Sequence, residues 1–103
     1  MSYGFIGKMT NKVVAFLKER QGTKLKNSDI CKKFGLSPQT VRACVNNARF
    51  RNIPICSDQD GYFYSENPAD VENTLNHMRS RIQKQQEAVS GLELFLRKQE
   101  ESV

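Results

Sequence analysis

The sequence predicts a mainly α protein: three short helices and a small β-hairpin over residues 1–66, then one long helix over residues 67–103. Three observations carry that reading. Apolar residues recur at helical spacing in three short stretches ahead of residue 52, each bounded by capping residues. Apolar and aromatic residues flank "DQDG" as two strands flank a tight turn. Beyond Pro68 no proline interrupts the chain, and apolar residues repeat there every three or four positions.

The elements follow in order. In "TNKVVAFLKER" the positions Val13, Val14, Phe16 and Leu17 make one apolar face, with Thr10 or Asn11 as cap and Gly22 as stop. Leu25, set between lysines, predicts a brief strand. Asn27 is expected to cap a second helix, whose inward face is Ile30, Cys31 and Phe34, with Asp29 favoured at its positive end and Gly35 as its stop. Ser37 is a natural N-cap for a third helix. Pro38 follows at the first helical position, where its missing N–H costs nothing. Val41, Val45 and Ala48 share one face of that helix, which should end near Asn52. Gln39, Thr40, Arg42, Ala43, Asn46 and Asn47 occupy the others. Ile53 and Ile55 lead into a hairpin with Asp60-Gly61 at its turn and Tyr62, Phe63 and Tyr64 returning. Asn67 and Pro68 then open the last helix, with Asp70 and Glu72 in its first turns.

Two helices joined by a short glycine-containing turn and followed by a hairpin form a helix-turn-helix with a wing. From residue 28 to 64 the chain resembles the winged helix-turn-helix domains of the biotin-operon-repressor type, as in small bacterial or phage regulators. The matching residues are Asp29-Ile30-Cys31, Phe34-Gly35-Leu36-Ser37 and Thr40-Val41, then Val45, Ala48, Ile53, Ile55 and Gly61-Tyr62. Two positions depart from the pattern. Ala48 stands where a larger aliphatic is usual, so the core beneath the third helix is expected either to be thinner or to be filled by Phe50 or Phe63, and Cys44 replaces an acidic or polar residue. Nothing within these residues resembles that repressor's enzymatic part. The resemblance therefore implies a fold and double-stranded DNA as partner, and no catalysis.

Charge and composition point the same way. The net charge is +5. Residues 1–64 carry 11 Lys and Arg against 4 Asp and Glu, whereas residues 65–103 carry 5 against 7. A basic front suits a polyanion, and the mildly acidic rear suggests a second job. With 38% hydrophobic and 26% charged residues the chain reads as folded rather than disordered. It has no apolar run of membrane-spanning length and no apolar leader, so a cytoplasmic location is expected. The three cysteines, Cys31, Cys44 and Cys56, form no CxxC pair, and His77 is the only histidine. Neither a structural metal site nor a Cys/His or Ser/His catalytic arrangement is expected, and no cofactor is implied.

On a duplex, the third helix would enter the major groove by its N-terminal half. Gln39 and Asn46, with Asn47 a weaker candidate, have amides suited to adenine. Arg42 suits guanine or phosphate, and Ala43 shares the exposed surface. Ser37, Pro38 and Thr40 lie at the helix start, where backbone phosphate would sit. Arg49, Arg51, Lys32 and Lys33 are expected on phosphate, with Lys24 and Lys26 extending the footprint. The hairpin tip carries Asp58 and Asp60, which would repel phosphate. Any solvated helix also presents polar side chains, so these assignments draw their force from the pattern around them.

The last helix is expected to run for about 31 residues, roughly 46 Å. Val71, Leu75, Met78, Ile82, Gln85, Val89, Leu92 and Leu96 form a heptad seam with Gln85 as its one polar member. A homodimer through this seam is the preferred expectation. The alternative is a winged-helix protein-interaction module, an adaptor or inhibitor of a host protein, that uses this helix and the apolar "LELFL" to hold its partner.

Overall fold

The computed structural model describes residues 3–101, and the elements run α1 (Tyr3–Glu19), α2 (Asn27–Phe34), α3 (Pro38–Phe50), β1 (Ile55–Asp58), β2 (Gly61–Tyr64) and α4 (Pro68–Glu101). The chain is thus mainly helical, with four helices, a two-stranded antiparallel hairpin and a long last helix. It divides into two compact units, Met1–Glu72 and Asn73–Val103. The first turn of α4 belongs to the first unit, a few residues beyond the boundary expected after residue 66.

Helix α1 starts earlier than its caps suggested. Gly4 and Gly7 each cost about 1 kcal/mol relative to alanine inside a helix, but Met9 packs on the core and Ile6 is half-buried. Thr10 is therefore no cap. It is fully buried mid-helix, and its Oγ1 donates to the Ile6 carbonyl at 2.7 Å. The core of the first unit joins Val13 and Leu17 of α1 to Ile30 of α2, to Val41, Cys44, Val45 and Ala48 of α3, and to Ile55 and Tyr64 of the hairpin. Each such large aliphatic contributes about 1.5–3 kcal/mol by leaving water. Burial pushes the Cys44 thiol above its usual range, and the neighbouring Thr10 offsets part of that rise. The room beside Ala48 is not filled by Phe50, which is 91% exposed.

Helix α2 opens on Lys26, not Asn27. The Asp29 carboxylate accepts from the Lys26 N–H at 2.9 Å, one half of a capping box. Gly35, at φ 65°, ends it in the left-handed region. Helix α3 has the expected Ser37 cap, whose hydroxyl accepts from the Thr40 N–H at 3.2 Å. It stops one turn short of Pro54 in a Schellman motif. Asn52, at φ 69°, gives its N–H to the Arg49 carbonyl, and Ile53 closes on Ala48, both at 3.0 Å.

The hairpin pairs Ile55 with Tyr64 and Asp58 with Gly61, so its loop is Gln59-Asp60. Neither loop residue has a positive φ. The turn is thus not one of the mirror-image types that an Asp-Gly pair favours. Instead the Asp58 carboxylate accepts from the Asp60 N–H at 2.8 Å, an Asx-type turn. Leu25 pairs with Tyr62 as a one-residue third strand, through bonds of 2.9 and 2.8 Å.

Helix α4 begins as expected, with Asn67 Oδ1 accepting from the Ala69 N–H at 3.0 Å. No helix among the described residues is long and apolar enough to cross a membrane.

Candidate nucleic-acid interface

Because α3 buries Val41, Cys44, Val45 and Ala48 against the core, its opposite face is set by helical phase alone. Gln39, Arg42 and Asn46 are exposed there, with Ala43 half-buried among them. Phe50 falls eleven residues after Gln39, three turns on, and so continues the same stripe. A partly apolar face that ends in an exposed aromatic was not expected from the sequence. The signal was nonetheless present in the phase of position 50 relative to 39, 43 and 46.

The turn that presents this face is held from both sides. Asn27 Nδ2 donates to the Pro38 carbonyl at 3.2 Å, and its Oδ1 accepts from the Cys31 thiol at 3.2 Å. Asn27 therefore ties the start of α2 to the start of α3 instead of capping its own helix. Ser37 and Pro38 are exposed at the N-terminus of α3. Thr40 is not available to phosphate: it is 5% exposed, and its hydroxyl lies 2.9 Å from that of Ser37.

The arginines divide by role. Arg42 is exposed and makes no hydrogen bond or ion pair among the described residues. Arg49 instead braces α3 against the hairpin, with Nε donating to the Ile55 carbonyl at 2.8 Å and a terminal nitrogen to the Ser57 hydroxyl at 3.1 Å. Arg51 is exposed and donates to Asn11 of α1 at 2.9 Å. Asn47 is half-buried, with Oδ1 enclosed and without a donor, so its amide is turned partly inward. Lys32 and Lys33 are exposed in the last turn of α2, the favourable end for cations. The Lys33 ammonium lies 5.7 Å from the Phe16 ring, which Arg20 covers at 4.0 Å.

Arg42 is thus set between two amides, a methyl group and an exposed ring on one unobstructed helix face. That set offers the donors, acceptors and apolar contacts that base edges in a major groove require. No protein-family model matches the chain, and no curated protein is significantly similar to it.

At the hairpin, Lys24 forms an ion pair with Asp58 and lies 5.2 Å from the Phe63 ring. It is therefore occupied and not part of an open basic footprint, and Asp58 is partly neutralised. The hydrogen bond from Lys24 holds the Asp58 carboxyl below its ordinary 3.8, and the same bond raises Lys24 above 10.5. A depressed carboxylate adds stability that is present above its unfolded range and lost as pH falls through its folded value. The hairpin brace is thus intact at neutral pH and released only in acid. Carbon-detected NMR titration of Asp58 should find its midpoint below 3.8, and Lys24→Met should raise it, with the Asp60 N–H bond still holding it down in part.

Proposed function

We propose that the chain is a sequence-specific double-stranded DNA-binding protein with a winged helix-turn-helix reading unit. It would act as a small dimeric transcription regulator or a phage-type replication or excision factor. Helix α3 is the recognition helix in this reading, and the hairpin is the wing. The observation that carries it is the stripe of exposed Gln39, Arg42 and Asn46, with half-buried Ala43 among them, presented by a capped, braced turn. The excess of Lys and Arg over residues 1–64 supports it by supplying affinity for phosphate. Ser37, Pro38, Arg51, Lys32 and Lys33 are the backbone-contact candidates. Arg49 and Thr40 support the helix from within. The wing, with Asp60 exposed and Lys24 paired, stands clear of phosphate.

Phe50 adds an apolar contact of the kind that meets a thymine methyl or a sugar edge. The runner-up, a protein-interaction module, draws on Leu94 and Phe95, apolar residues exposed by 47 and 58%.

Selection from random duplexes, followed by anisotropy with the winner and a scrambled control across a salt series, tests the proposal. A winner bound far more tightly than the control is expected. Gln39→Ala and Arg42→Ala should each weaken it by about 1–3 kcal/mol, roughly fivefold to 150-fold. Phe50→Ser should leave the melting temperature unchanged while weakening binding. Equal, steeply salt-dependent binding of every duplex by all these proteins would reduce the face to bare electrostatics.

A further inference from the structure

Along α4 the residues from Arg79 to Glu101 are exposed without exception. Ile82, Val89, Leu92 and Leu96 are 64, 47, 70 and 63% exposed. With Gln85 they lie on one seam at alternating steps of four and three. A sustained heptad seam fits a second helix of the same period, and a second copy of this chain supplies one. The residues beside the seam then decide the direction.

Take Leu75, Ile82, Val89 and Leu96 as a positions and Met78, Gln85 and Leu92 as d. The flanking e positions are then Arg79, Gln86 and Glu93, and the g positions are Thr74, Arg81, Ala88 and Phe95. In a parallel pair each g residue meets the e residue five places on in the other chain. The meetings would be Thr74 with Arg79, Arg81 with Gln86 and Ala88 with Glu93, none of them complementary. In an antiparallel pair e meets e, g meets g and a meets d. One register then brings together both complementary flanks, with Gln85 and Gln99 as the polar members of the seam. Ile82 packs on the partner's Leu92, Met78 on the partner's Leu96 and Gln85 beside the partner's Val89. The two Gln85 residues lie about one helical turn apart along the axis, close to the two-fold. Arg79 meets the partner's Glu93, twice by symmetry. Arg81 meets the partner's Phe95, a cation over a ring. Ala88, a small residue, meets itself.

Sliding by one heptad in one direction sets Glu72 against the partner's Glu93. Sliding in the other sets Gln85 against the partner's Leu96 and Gln99 against the partner's Ile82. Charge opposes the first slide. The second keeps a complementary meeting, Arg79 with the partner's Glu100, but leaves Val89 on the partner's Leu92 as its one apolar seam pair among the described residues. The central register has Ile82 on the partner's Leu92 and Met78 on the partner's Leu96.

We infer that α4 pairs antiparallel with a second copy of the chain, in the register that joins Arg79 to the partner's Glu93. The inference rests on the dimer of the proposed function and not on its DNA contact. It sets the two copies of residue 72 about 45 Å apart along the coil, at 1.5 Å per residue. A parallel pair would hold them side by side.

Sedimentation equilibrium of the full chain at low salt tests this through charge reversal. Arg79→Glu and Glu93→Arg should each weaken self-association about tenfold, because both ion pairs become repulsions. Mixed one to one, the two variants should associate as tightly as wild type. The doubly reversed chain should recover wild-type affinity within about threefold. No such rescue is possible in a parallel pair, where positions 79 and 93 are about 21 Å apart along the axis. A dimer whose variants do not rescue one another overturns the antiparallel register and leaves the dimer standing. A wild-type chain that stays monomeric overturns the pairing altogether. Neither result bears on the reading face of α3.

Discussion

Gly61→Ala is expected to destabilise the first unit by about 2–4 kcal/mol, well beyond what one exposed hairpin residue normally carries. Two costs combine there. Gly61 has φ 137°, outside what a side chain tolerates, and an added Cβ would lie 2.5 Å from the Leu25 carbonyl oxygen and 2.6 Å from its carbon. Those are backbone atoms of the one-residue strand that pairs with Tyr62, so no side chain can move aside. Gly35→Ala separates the two costs. Gly35 also has a positive φ, 65°, but an added Cβ meets nothing within 4 Å. It should lose only the conformational part, about 1 kcal/mol. Thermal melts followed by circular dichroism should place Gly61→Ala more than about 10 °C below wild type and well below Gly35→Ala. Equal losses for the two would mean that the approach of Leu25 imposes no constraint. The damage should also reach the interface. Leu25 is followed directly by Lys26, the cap of α2, and by Asn27, which holds the Pro38 carbonyl at the head of α3. A shift at Leu25 therefore loosens the brace that aims the reading face.

What the sequence made legible is what local chemistry decides. Ser37-Pro38 and Asn67-Pro68 mark helix starts because cap and proline preferences act within three residues, and both helices begin there. The inward set Val13, Leu17, Ile30, Val41, Val45 and Ala48 follows from period alone. The misreadings share a different cause, since each depends on a partner distant in sequence. Asn27 has the composition of a cap, yet its amide is drawn to Pro38, eleven residues on. Thr40 looks like a polar surface residue, yet α3 turns it inward and Ser37 satisfies its hydroxyl. Arg49 reads as a phosphate contact until β1 offers it a carbonyl and a hydroxyl. Thr10 reads as a cap until the chain before it packs and extends the helix past it. Phe50 is the instructive reverse. Its hydrophobicity suggested core, whereas its phase on α3 places it outside, and phase prevailed because the Schellman turn at Asn52 keeps α3 helical through that residue.

Removal of residues 82–103 is expected to leave a folded monomer that still prefers the selected duplex, bound about a hundredfold to ten-thousandfold more weakly than by the full chain. Folding should survive because every core residue of the first unit lies between Val13 and Tyr64. The cut also keeps Thr74, which is buried, and Met78, which is half-buried, and every described residue it removes is exposed. Affinity should fall because, in the proposed dimer, two reading helices make the second contact intramolecular, and that gain vanishes with the link. Specificity should remain, since Gln39, Arg42 and Asn46 are all retained, and Arg42→Ala in the shortened chain should again cost about tenfold or more. Melting curves, sedimentation and anisotropy on one preparation read the three effects separately. A monomer that bound the duplex as tightly as the full chain would show that a single recognition helix suffices, and would leave the Ile82–Leu96 seam to an occupant other than a second DNA reader. A shortened chain that lost all preference among duplexes would move the reading surface from α3 to the long helix, where no amide or guanidinium is held by a capped, braced turn.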